Sequence, residues 1–252
     1  MDFPGKCVLV TGGSRGIGRA IVEAFTKHGA CVAINYKANS QAAHETIDSL
    51  PGGPHMVVQA DVSQPDTVKY LIEAVISEFG RLDIVVNNAG TSITHRIDEV
   101  DFTEWQQAWR EILAVNLIGP ANVTYYTAQH MMKNGGGRIV NISSRGAFRG
   151  EPDKPAYGAS KAGLNAMSQS LAQKLAKYNI FIGVVAPGFV ETDLSAVTLS
   201  GPEGDEIRRQ SPLGRVARPE EVATAVLFLA SEGTEFVTGA IIDVNGASYL
   251  RS

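Results

Sequence analysis

The chain of 252 residues predicts an α/β fold, a single domain on a seven-stranded parallel sheet, doubly wound with helices on both faces. Three observations carry that prediction. Short apolar runs alternate with longer helix-patterned stretches from end to end, the order that sets strands side by side and lays helices across them. The runs are apolar at consecutive positions, as in Ile84-Val85-Val86 and Ile180-Phe-Ile-Gly-Val-Val185, which suits strands buried on both faces. No linker rich in Pro, Ser and Gly divides residues 1–252, and no internal repeat is found, so one domain accounts for the length.

The elements follow in order. Residues 7–11 form the first strand run, and a glycine turn over 12–18 leads into a helix over 15–28. In that helix Ile17, Ile21 and Phe25 recur every four residues, and Gly29 supplies the stop. Further strands are predicted at 31–35, 55–60, 82–87, 138–143, 180–186 and 240–244. Helices are predicted near 38–49, 65–79, 103–115 continuing through 116–133, 157–178 and 219–230. The stretch 187–218 carries Pro187-Gly188, Gly201-Pro202, Gly204 and Pro212; it is too long for an ordinary connection and reads as a substrate lid.

Composition narrows the function classes. At 44% hydrophobic and 19% charged residues, the chain has the make-up of a soluble globular protein. A net charge of −4 and the lack of any Lys/Arg-rich run argue against a nucleic-acid surface. No apolar stretch is long enough to span a bilayer, and the start lacks the pattern of a signal peptide. Cys7 and Cys31 fall in strand-like runs without metal-ligand spacing and read as small buried hydrophobes in a reducing compartment. The expectation is a cytoplasmic, metal-free protein with neither nucleic-acid nor membrane partners.

Two motifs carry chemistry. Gly12-Gly-Ser14-Arg15-Gly16-Ile17-Gly18 lies between a strand run and a helix pattern. In that place backbone N–H groups and the positive helix end face an anion, and absent side chains let a pyrophosphate come close. The spacing is Gly-x-x-x-Gly-x-Gly; Ile21 stands where the common dinucleotide fingerprint has its third glycine. Tyr157 and Lys161 are four residues apart, thirteen residues after Ser144. On a helix they share a face, and an ammonium beside a phenol favours its ionised form, tuning it for proton transfer at working pH.

Together with Asp61-Val62, Asn87-Asn88-Ala89-Gly90, Asn116 and Pro187-Gly188, these motifs stand in the order and spacing of the short-chain dehydrogenase/reductases. The chain resembles that family over essentially its whole length, through Arg218-Pro-Glu-Glu-Val222 and Thr238-Gly239, in the style of its 3-oxoacyl-(acyl-carrier-protein) reductases. The resemblance implies a Rossmann domain that moves a hydride between a nicotinamide cofactor and a carbonyl or secondary alcohol, most nearly a 3-oxoacyl thioester. It implies Tyr157 as general acid/base, Lys161 on the nicotinamide ribose, Ser144 on the substrate oxygen, and Asn116 positioning a water behind Lys161. Cofactor contacts are implied at Gly12, Ser14, Arg15, Gly16, Ile17, Gly18, Asp61, Val62, Asn88, Ala89, Gly90, Tyr157, Lys161, Pro187, Gly188, Val190 and Thr192. It also implies a homotetramer, or at least a homodimer, joined through helices 103–133 and 157–178.

No acid occurs in residues 31–44, where NAD-preferring folds offer a carboxylate to the ribose 2′-OH. Lys37 and Arg15 could instead pair with a 2′-phosphate, so NADP(H) is the expected cofactor, with NAD the alternative. The segment before Asn116 carries Trp105 as well as Trp109, one Trp more than the family's usual pattern. The resemblance implies basic residues, before the fifth strand and at the end of the Tyr157 helix, that meet an acidic carrier protein; the matching stretches here are Asn134-Gly-Gly-Gly137 and Tyr178-Asn179. Phe148 and Arg149 are expected to border the substrate pocket. The competing readings are an NAD-dependent alcohol, sugar or steroid dehydrogenase and a non-catalytic dinucleotide-sensing protein.

Overall fold

The computed structural model describes residues 1–251, apart from the side chain of Leu194. Seven strands form one sheet: β1 (Cys7–Val10), β2 (Cys31–Tyr36), β3 (Met56–Gln59), β4 (Ile84–Asn87), β5 (Gly137–Ile142), β6 (Ile180–Pro187) and β7 (Ile241–Val244). Their order is β3-β2-β1-β4-β5-β6-β7, and every pairing is parallel. Each predicted strand is present, with ends shifted by one or two residues.

Alternation along the strands divides the core into two layers. Val8, Val10, Ile84 and Val86 face one side, where they meet Ile21, Val22 and Phe25 of α1 (Gly16–Lys27) and Val222, Val226 and Leu227 of α10 (Pro219–Ala230). Leu9, Val85 and Ile139 face the other, against α3 (Pro65–Phe79), α5 (Gly119–Met131) and α7 (Pro155–Leu175). Helix α2 (Ser40–Asp48) packs beside β2 and β3. Burial of about 0.8 kcal/mol per methylene on both faces makes this sheet the main source of stability.

The predicted helix 103–133 is in fact α4 (Phe102–Leu113), a five-residue π-helical turn at Ala114–Ile118, and α5. The segment 187–218, predicted as a lid, is more ordered than a loop: it holds α8 (Asp193–Ser200) and α9 (Gly204–Arg209), and Val190 bridges to Ala217 at its base. A short helix, α6 (Gly146–Arg149), follows β5. Cys31 is only half-buried, contrary to expectation, because it opens β2 at the sheet's N-terminal edge. Cys7 is buried, and burial pushes its thiol up to about 11. Among the described residues no helix is long and apolar enough to cross a membrane.

In sheet order the chain winds outward from β1 in one direction and from β4 in the other. Between these strands, beyond their C-terminal ends, the connections part and leave a crevice.

Candidate active site

The crevice floor is the glycine turn. Gly12 and Gly16 take positive φ of 62° and 53°, conformations that side chains disfavour. A Cβ on Gly12 would stand 3.1 Å from Ala89 Cα, one on Gly16 3.2 Å from Thr192 Cγ2, and one on Gly18 would overlap the Gly12 carbonyl. Two short links tie this turn to the end of β4. Thr11 Oγ1 accepts from the N–H groups of Asn88 and Ala89, each at 3.0 Å. Asn88 Nδ2 donates to the carbonyls of Thr11 (2.9 Å) and Gly12 (3.0 Å). The turn is therefore a rigid cradle that opens onto the N-terminus of α1, and it fits the pyrophosphate of a dinucleotide.

The candidate proton-transfer residues meet beyond β5. Tyr157 and Lys161 lie on the first two turns of α7, and Lys161 Nζ is 5.8 Å from the Tyr157 ring centroid. Lys161 Nζ donates to Ile142 O at 2.8 Å. Burial brings the Lys161 ammonium down to about 8. Tyr157 departs from the sequence expectation: burial pushes its phenol up, and a hydrogen bond with Ser144 only partly offsets this. Desolvation of the phenolate sets the direction, and the charge of Glu151 adds to it.

Asn116 sits in the π turn and is fully buried. Its Oδ1 accepts from Thr91 N at 2.8 Å, and its Nδ2 donates to Thr91 O (2.9 Å) and Ser160 Oγ (3.2 Å). A methyl on Gly90 would stand 3.5 Å from Asn116 Oδ1 and 3.6 Å from Lys161 Nζ, so the three border one small space. The helix irregularity is what lets an asparagine turn inward here.

Residues 12–247 match a family model described as Enoyl-(Acyl carrier protein) reductase. The chain is 39% identical over 251 residues to the 3-oxoacyl-(acyl-carrier-protein) reductase FabG of Aquifex aeolicus, covering 99% of each chain. It is 38% identical over 250 residues to the FabG of Escherichia coli, covering 99% of this chain and 100% of that relative. A short-chain type dehydrogenase/reductase from Mycobacterium ulcerans superposes with a TM-score of 0.92 at 30% identity, covering 98% of this chain and 91% of that one. The chain belongs to the short-chain dehydrogenase/reductases. As a member it is an NAD(P)-dependent oxidoreductase acting on carbonyl or CH–OH groups.

In this dehydrogenase/reductase the β2–β3 end of the crevice differs from the simplest sequence expectation. Lys37 is no free cation: its Nζ lies 2.8 Å from Asp61 Oδ2. Burial acts to raise the Asp61 carboxyl, but the bonds from Lys37 and Ser63 outweigh it and hold the group below its usual range. Arg15 is exposed at the N-cap of α1 and enters no ion pair among the described residues. Ser14 and Ile17 are half-buried beside it, and Val62 is buried against Gly119. Across the crevice, Gly188 N donates to Val244 O (3.0 Å), Val190 is buried, and Thr192 caps α8.

Arg149 is exposed, whereas Arg145 is buried. Phe148 lies under the Arg251 guanidinium, 4.5 Å from its ring centroid. Sequence reasoning also passed over His95, which is 1% exposed. Its Nε2 accepts from Ala156 N at 3.2 Å, and its Nδ1 lies 2.7 Å from Ile93 O, an arrangement of the neutral ring protonated at Nδ1. His95 thereby caps the helix that carries Tyr157, and Trp105 stacks edge-on against it at 5.3 Å. That packing accounts for the additional tryptophan; the one sequence signal for it was Trp105 itself.

Proposed function

We propose that the protein is an NADP(H)-dependent carbonyl reductase of the 3-oxoacyl thioester type, with Tyr157 as its proton donor. The observation that carries this is the convergence of Ser144, Tyr157, Lys161 and Asn116 at the mouth of a phosphate cradle. The bound nicotinamide supplies the hydride, and the protein supplies position and proton. Gly12, Ser14, Arg15, Gly16, Ile17 and Gly18 hold the pyrophosphate side, while Asp61 and Val62 border the adenine. Asn88, Ala89, Gly90, Pro187, Gly188, Val190 and Thr192 flank the nicotinamide end.

Burial favours the protonated phenol of Tyr157, the form a proton donor requires. Ser144 orients the carbonyl oxygen and donates to it as negative charge develops. Lys161 supplies a positive charge as Tyr157 ionises, and the polar space beside Asn116 returns the proton. Arg15, with Lys37 swung from Asp61, pairs the 2′-phosphate; the absence of an acid in residues 31–44 favours NADPH over NADH. The activity named for the FabG relatives at 38–39% identity supports the 3-oxoacyl thioester substrate, and a cytoplasmic homotetramer completes the same proposal. The lack of basic residues in Asn134-Gly-Gly-Gly137 weighs against a carrier-protein contact of the usual kind.

The test is oxidation of NADPH and NADH in parallel with an acetoacetyl thioester. Turnover that prefers NADPH is expected. Tight NADPH binding without turnover would reject the thioester and leave the proton-transfer site standing.

A further inference from the structure

Beneath the segment 187–218 lies a largely apolar space that Ser144, Tyr157 and Lys161 do not line and into which Arg145 brings a cation. A chamber of about 100 Å³ is bounded by Phe189, Ser211, Val216, Asn245 and Ser248, with Arg145 in its wall. Arg145 is 4% exposed. Its Nη1 donates to Ser248 Oγ at 2.6 Å and its Nη2 to Gln210 Oε1 at 2.6 Å, and the guanidinium carbon lies 5.2 Å from the Phe189 ring centroid. All three neighbours are neutral, and these two bonds engage only part of a fork with five N–H donors.

The acids nearby do not balance the charge. Glu221 borders the same chamber, but Arg215 donates to both its oxygens at 2.7 and 2.6 Å, and Arg218 N donates to Oε2 at 2.7 Å. These bonds hold Glu221 down to about 2 and commit it to Arg215 and Arg218. Glu151 acts on Arg145 from beyond ion-pair distance, and Arg149 adds charge of the same sign. Among the described residues Arg145 has no carboxylate partner. A guanidinium removed from water without a counter-charge is unfavourable, and a bidentate carboxylate is the partner its geometry suits best.

We propose that this chamber binds a small carboxylate, held by Arg145 between the lid and the C-terminal segment. Its volume suits a group of acetate size and excludes a dinucleotide. Gln210 follows directly on α9 and Ser248 lies four residues past β7, so an anion on Arg145 fastens both segments to the residue next to Ser144. The carboxylate is either a free anion or one end of a carbonyl substrate; only the second source rests on the reductase reading.

The test is thermal unfolding with sodium acetate, with acetamide as neutral isostere and sodium gluconate, too bulky for the chamber, holding ionic strength constant. Acetate is expected to raise the melting midpoint saturably, and acetamide is expected to leave it unchanged. Arg145→Met should weaken the acetate response by at least about tenfold in half-saturating concentration. Leu213→Glu, at a rim position that is 65% exposed, should weaken it similarly by placing a tethered carboxylate at the mouth. This surface variant keeps the test decisive where Arg145→Met fails to fold. No saturable acetate effect in the unaltered protein, or equal effects in all three proteins, would overturn the proposal. Steady-state competition between acetate and a 3-oxo acid that carries a free carboxylate would assign the chamber to a substrate carboxylate; non-competitive behaviour would assign it to a free anion. The melting readout needs no turnover, so a failed reductase assay leaves this test intact.

Discussion

Single side chains set the chemistry through burial as much as through pairing. Tyr157→Phe removes the donor hydroxyl and little volume, so turnover should fall by at least about 100-fold. NADPH affinity should hold within about threefold, and retained turnover would sink the proton-donor assignment. Lys161 gives a pH signature. Its folded value of about 8 lies below the unfolded value of 10.5, so between them the unfolded chain binds more protons. Stability should rise from about pH 8 to about pH 10.5, by on the order of 3 kcal/mol from this residue. Denaturation of Lys161→Met across that window should lack this contribution. At the adenine end, Arg15→Ala should weaken NADPH by about tenfold while leaving NADH nearly unchanged, read by fluorescence titration. Equal losses would remove Arg15 from the 2′-phosphate site. The sequence placed Arg15 and Lys37 together; it could not show that Asp61, 24 positions after Lys37, would occupy the lysine. Pairings across adjacent strand ends depend on rotamers, which spacing does not encode.

Elements owe their precision to their ends. Helix α7 begins with Pro155, and its N-cap residue, Lys154, makes no side-chain capping bond. The orphan N–H of Ala156 is instead satisfied by His95 from another segment, while His95 N donates to Asp153 O at 2.9 Å. Arg96 adds a surface ion pair to Asp153 at 3.0 Å, worth little alone but fixing the same junction. His95→Leu keeps the bulk and removes the acceptor, leaving a buried N–H unpaired at about 1–2 kcal/mol. Chemical denaturation should show that loss, and kcat should fall while NADPH affinity stays unchanged. An unaltered kcat would mean that the cap does not govern where Tyr157 sits. Periodicity made α1, α3 and α7 legible, because one apolar face must meet the sheet. It could not reveal the π turn at Ala114–Ile118, since a single extra backbone residue leaves the apolar pattern nearly intact.

At the scale of the whole molecule, the unexplained surface is the rod formed by α4 and α5. Phe102, at the start of α4, is 73% exposed, and further along Ile118 and Tyr125, about two helical turns apart, are 49% and 61% exposed. Apolar surface of this kind is unfavourable in water unless a partner covers it. Sedimentation velocity at micromolar concentration should find four copies of the chain, and Tyr125→Asp should shift the population towards smaller species. A monomer in the unaltered protein would contradict the tetramer inferred from the family.

The family resemblance supplied Asn116 and Ser144, and the sequence by itself determined the layers, the strand count, the glycine turn and the four-residue spacing of Tyr157 and Lys161. Each of the latter is written in local pattern: apolar runs for buried strands, missing side chains for close approach, and four-residue spacing for a shared helix face. Only the tertiary structure decided that Lys37 is bound to Asp61, that His95 caps α7, and that Arg145 rather than Arg149 is the buried cation beside Gln210. It also reversed the direction expected for Tyr157, raising the phenol where spacing to Lys161 had suggested lowering it. The physical reason is common to all four. Solvent exclusion and partners distant in the chain set charge state and hydrogen bonding, and neither is a property of neighbouring letters.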